Sequence, residues 1–98
     1  MNEDLMYQCI DIIVDYVGLL LTEDQFTELM KENPYLEEQL IEFQSPSDTM
    51  EREDLMNAVA VKVTGRAWPT YGDGEKVRDE FFREYSEKAK KMGYKIIG

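Results

Sequence analysis

Between Leu5 and Leu21 the chain is apolar almost without a break, and no other stretch constrains the fold as strongly. Its polar positions, Asp4, Gln8, Asp11, Asp15 and Gly18, fall four, three, four and three apart. That spacing lays them in one narrow stripe of a helix running from about Asp4 to Leu21. Apolar side chains occupy the rest of the circumference: Leu5, Met6, Cys9, Ile10, Ile12, Ile13, Val14, Tyr16, Val17, Leu19, Leu20 and Leu21. A helix this apolar is the centre of a bundle or part of an oligomer interface. Because few partner helices are available to cover it, a homodimer seam is one use for the surplus. Asp11 and Asp15 break the run and argue against a membrane span.

The helices that follow announce themselves by their ends. Thr22-Glu23-Asp24-Gln25 is a capping box that starts a second helix, Glu23 to Glu32, with Phe26, Leu29 and Met30 facing inward. Asn33-Pro34 closes it and starts a third, asparagine as cap and proline in the first turn. That helix runs to about Gln44, with Leu36, Leu40, Ile41 and Phe43 on its inner face, and Ser45-Pro46-Ser47 reads as a loop. Asp48 with Glu51 repeats the capping pattern, and its helix ends at Thr64 before Gly65. Residues 58–63 also alternate as a strand would, but cap, length and terminating glycine agree on a helix. An irregular segment, residues 66–72, leads to a last helix from Asp73 as cap to Met92, with Gly93 beyond it. Val77, Phe81, Tyr85, Ala89 and Met92 form its inner face, and its acids precede its lysines as the helix dipole favours. The expected fold is all-α: a single domain over residues 1–98, a small compact bundle of about five helices. Tyr94-Lys95-Ile96-Ile97 is an apolar tail that must pack somewhere, a short C-terminal strand being one way.

Catalytic and metal chemistry find few carriers. The chain has no histidine, so the commonest general base and metal ligand are missing. Its single cysteine, Cys9, lies on the apolar side of the first helix, reads as a core residue and excludes an internal disulfide. Gly72-Asp73-Gly74-Glu75-Lys76 opens a helix as a phosphate loop does, but its acids would repel a phosphate. The same residues lack the carboxylate register of a calcium loop. The expectation is a protein that is not an enzyme and binds no cofactor or metal. The first basic residue is Lys31, so the positive start of a secretory signal is missing and a cytoplasmic location is expected.

Charge is what remains, and it is unevenly placed. The net charge is -10, with 15 acids and 2 bases in residues 1–54 against 6 acids and 9 bases in residues 55–98. Asp11 and Asp15 are four apart, as are Asp24, Glu28 and Glu32, and Glu38 and Glu42. Each such like-charge pair costs a helix roughly 0.2–0.5 kcal/mol. Stability alone would interleave Glu with Lys, as the last helix does, so the contrast favours an acidic face with a use. The plain alternative is a solvated face that serves solubility.

The use that fits is nucleic-acid mimicry, in which Asp24, Glu28, Glu32, Glu37, Glu38 and Glu42 stand in for phosphates. Four helical residues rise about 6 Å, a spacing close to that of phosphates along a strand. The partner would be a protein with a basic surface, a nucleic-acid-binding protein above all, with no direct contact to nucleic acid or membrane. In size, acidity and poverty of cysteine the chain resembles phage-encoded inhibitors of host defence, anti-CRISPR and anti-restriction proteins among them. The resemblance is one of style, with no shared motif and no residue carried over. A second contact surface is expected at Arg66, Trp68 and Tyr71, residue types that anchor interfaces, although Trp68 also suits a plug at the end of the bundle. The other functional class is a phage assembly or chaperone-like protein working through its apolar first helix.

Overall fold

The computed structural model describes residues 1–44 and 49–97, apart from the side chains of Thr49, Met50 and Tyr71. Five α-helices follow one another as α1 (Glu3–Val17), α2 (Glu23–Glu32), α3 (Pro34–Phe43), α4 (Thr49–Thr64) and α5 (Glu75–Lys91). Two-residue strands, β1 (Leu19–Leu20) and β2 (Lys95–Ile96), and a single 3-10 turn, Tyr71–Asp73, complete the described elements.

The chain-end signals explain most boundaries. Asn2 caps α1, its Oδ1 accepting from Leu5 N–H at 2.8 Å. At α2 the capping box forms with both bonds, Gln25 N–H to Thr22 Oγ1 and Thr22 N–H to Gln25 Oε1. Pro34 occupies the first turn of α3 as expected, but Asn33 is not its side-chain cap. The Asn33 amide donates to Leu29 O at 2.9 Å, closing α2 instead. Gly65 follows α4 with φ 77°, the left-handed stop that its position suggests. Residues 45–47 and the Asp48 half of the second capping box lie outside the described residues.

The first helix is shorter than its apolar run. α1 stops at Val17 because Gly18 turns left-handed (φ 66°, ψ 23°), its N–H bonding Val14 O. The expected helical end, Leu19 to Leu21, leaves the axis, and Leu19–Leu20 pairs antiparallel with Lys95–Ile96. A further bond, Ile97 N–H to Gly18 O at 2.7 Å, extends this clasp between the chain's apolar start and its tail. The tail is therefore a paired strand.

One core runs through the molecule. From α1 it takes Leu5, Cys9, Ile10, Ile13 and Val17, joined by Leu19, Leu21, Phe26, Leu29, Met30, Leu36 and Leu40. From the C-terminal half it takes Leu55, Ala58, Val59, Ala60, Val63, Phe81, Tyr85 and Ala89. α4 lies between the two halves, packing on α1, α3 and α5. Most of the apolar surface of α1 is thus used within the chain, and Tyr7 and Tyr16 are its large exposed side chains. Four residues assigned inward by spacing lie outside: Ile41 and Phe43 on α3, Val77 and Met92 at the two ends of α5. Ile41 sits one position off the buried Leu36–Leu40 row, and Phe43, Val77 and Met92 sit in the terminal turn of a helix or just past it. α5 begins at Glu75, with no side-chain cap from Asp73. Asp73 instead accepts from Thr70 N–H at 2.7 Å and holds the turn ahead of the helix. No helix among the described residues is long and apolar enough to cross a membrane.

Candidate interaction surfaces

The acidic half of the sequence becomes an acidic surface because its helices turn their apolar residues to the core. Asp24, Glu28, Glu32, Glu38 and Glu42 are exposed and Glu37 is half-buried. The spacing of four on α2 puts Glu28 and Glu32 on consecutive turns, facing α4. Lys62 of α4 exploits this, its Nζ lying 2.5 Å from Glu32 and 3.7 Å from Glu28. The hydrogen bond to Glu32 raises the Lys62 pKa above its ordinary value. These two carboxylates with their lysine carry a net charge of minus one, not minus two. Asp24, Glu38 and Glu42 have no ion-pair partner among the described residues.

A second acidic row lies on α1. Asp4, Gln8, Asp11 and Asp15 are all exposed, so the polar stripe legible in the spacing is the solvent edge of the helix. Asp11 and Asp15 add two exposed carboxylates on α1 to those of α2 and α3, and their spacing was the signal that could have added them to the expected set. Glu51 is the one buried acid among the described residues. It is buried near Cys9, and its Oε2 has no hydrogen-bond partner among the described residues.

The three residues of the expected second contact surface have separate roles. Arg66 is exposed but occupied: its guanidinium pairs with Glu84 and lies 5.7 Å from the centre of the Phe81 ring. Glu84 also takes Lys88 at 2.7 Å, and these cations, Lys88 first, hold its carboxyl below the usual value. Trp68 is half-buried in an aromatic cluster. Its ring centre is 5.3 Å from Phe81, 5.2 Å from Phe82 and 5.3 Å from Tyr85, each pair edge to face. Its backbone N–H donates to Asn57 Oδ1 at 3.0 Å, fixing the loop to α4. Trp68 therefore packs against the core between α4 and α5 while staying partly exposed. The Tyr71 backbone is in the 3-10 turn, and its side chain lies outside the described residues.

Beside Trp68 opens a cleft of about 850 Å³ that single-element reasoning misses. Tyr16 comes from α1; Arg52, Glu53, Met56 and Asn57 from α4; Trp68, Pro69 and Thr70 from the loop; Glu75, Arg78, Asp79 and Phe82 from α5. Arg52 donates to the Tyr16 hydroxyl at 2.9 Å and so ties α4 to α1 at one rim. Phe82 offered a signal in the sequence, since it follows Phe81 and falls out of phase with the inner face of its own helix. Among the described residues, no group of three or more Cys, Asp or Glu side chains is arranged to hold a metal ion.

Taken together, the elements define a small all-α domain of five helices, clasped by a two-residue strand pair, with a carboxylate-rich surface and an aromatic cleft. The chain belongs to a family described as a domain of unknown function, DUF8308, whose model matches residues 1–98. No curated protein and no solved structure matches it.

Proposed function

We propose that this chain is a non-catalytic binding protein whose acidic surface occupies the basic groove of a nucleic-acid-binding protein, imitating the charge of a nucleic acid. One observation carries the reading. Of the described acids in residues 1–54, all but Glu37 and Glu51 are exposed side chains, most of them held on α1, α2 and α3. Carboxylates fixed on helices keep their spacing without paying for order when a partner arrives. They also steer a basic partner at long range. An inhibitor of the phage anti-defence kind would act this way. The alternative of assembly through the apolar first helix has less support, since the inward residues of α1 are already buried.

Lys62 decides which acids make the fair test. Reversing Glu28 or Glu32 would also repel Lys62 and disturb the contact of α2 with α4. Glu38 and Glu42 carry no such partner among the described residues, so E38K/E42K changes the field and leaves the core intact. Affinity capture from a cell lysate at low salt is expected to yield basic proteins. These should elute as salt rises towards about 0.2 M, where screening shortens to less than roughly 10 Å. Duplex DNA should displace them, and the E38K/E42K bait should retain at most a tenth as much. Capture that ignores both salt and DNA would overturn the proposal.

A further inference from the structure

We infer that the cleft between α1, α4, the 68–70 loop and α5 receives an arginine-bearing segment of a basic partner protein. The inference deepens the reading above, on which it rests for the choice of a basic partner, by naming what that partner inserts. Three features of the lining favour a guanidinium. Trp68 and Phe82 contribute aromatic rings, whose faces attract a cation, and the Tyr16 ring already holds one, the Arg52 guanidinium 5.8 Å from its centre. Glu53, Glu75 and Asp79 add three carboxylates, all exposed and without an ion-pair partner among the described residues. Finally, the two cations of the lining, Arg52 and Arg78, are themselves engaged by neighbouring groups, Arg52 through the Tyr16 hydroxyl. The five charged groups of the cleft sum to minus one, within a protein of net charge -10. Arginine suits such walls better than lysine, because its planar head stacks on a ring and bonds a carboxylate with two parallel N–H groups. A volume of about 850 Å³ holds more than one side chain, so the occupant is a short segment and not an isolated residue.

The chain supplies its own reporter, since Trp68 is its single tryptophan and lines the cleft. The experiment is a titration of Trp68 emission at low salt with a capped tri-arginine peptide, alongside tri-lysine and tri-glutamate. A saturable change is expected with tri-arginine, at least several-fold tighter than with tri-lysine, and none with tri-glutamate. E53Q/E75Q/D79N should weaken tri-arginine binding at least tenfold while its circular dichroism stays that of the parent. E87Q, outside both the cleft and the acidic rows of α1 to α3, should leave the titration unchanged. The inference is overturned by an unresponsive Trp68, by equal responses to the acidic and basic peptides, or by a triple variant that binds like the parent. Failure here with salt-sensitive, DNA-displaceable capture intact removes the cleft alone. Failure of that capture with the titration intact removes the mimicry alone.

Discussion

Cys9 and Tyr85 are two buried groups through which high pH acts on this fold. Burial pushes the Cys9 thiol from its ordinary 9.0 up to about 12, with the nearby charge of Glu51 adding to it. Burial likewise raises the phenol of Tyr85, which donates to Val17 O across the core at 3.3 Å. In both cases the folded state holds the proton more tightly than the unfolded chain does. The stability they contribute is therefore full below the unfolded pKa and declines as pH rises past it, by about 1.4 kcal/mol per pH unit for each group. The decline should begin near pH 9, where an unfolded cysteine ionises, and steepen past 10, where a tyrosine joins it. Urea unfolding across pH 8 to 11 checks this, and Cys9→Ala should remove the loss between pH 9 and 10 while keeping the later one. Iodoacetamide should label Cys9 only at the rate of unfolding, because the side chain is wholly buried.

Among the elements, the clasp between β1 and β2 has the largest effect for its size. Four residues pair, yet they decide where α1 ends and where the tail lies. The pivot is Gly18, whose φ of 66° is strained for any residue with a Cβ. A Cβ there would also stand 3.0 Å from Ile97 O, on the backbone of the strand end it serves. Gly18→Ala should cost about 1–2 kcal/mol from the left-handed conformation, with the close approach adding to it. Equilibrium unfolding measures the loss, and amide exchange at Ile97, whose N–H bonds Gly18 O, should quicken with it. An unchanged stability would mean that the helix does not stop at this residue.

At the scale of the whole molecule, charge is the dominant fact. A net charge of -10 on a body of 38 × 29 × 22 Å opposes its own compaction. Ion pairs offset little of this, since Lys62 with Glu28 and Glu32, and Arg66 and Lys88 with Glu84, are largely at the surface. Exposed pairs contribute about 0.2–1 kcal/mol each. Screening should therefore help more than it harms: Tm should rise by several degrees between roughly 0.01 and 0.2 M sodium chloride, as the Debye length shortens from about 30 Å to below 10 Å. Differential scanning calorimetry gives the answer. A Tm that falls with salt would show that the surface pairs outweigh the repulsion.

Features governed by contacts within a turn or so of helix were legible in the sequence. The Thr22–Gln25 box, the stop at Gly65, the inward row Phe81, Tyr85 and Ala89, and the solvent stripe of α1 all follow from local spacing. The same spacing misjudged Gly18, which falls in the polar stripe and so reads as helix, because periodicity records a direction and not a backbone turn. It also placed Ile41, Phe43, Val77 and Met92 inside, although all four are exposed. Lys62 between Glu28 and Glu32, the strand pair joining residues 19–20 to 95–96, and the cleft drawn from three helices and a loop belong to tertiary structure alone. Hydrogen bonds and side-chain rows within four residues depend on the chain's own geometry. Contacts between distant residues exist only once the core has fixed how the helices pack.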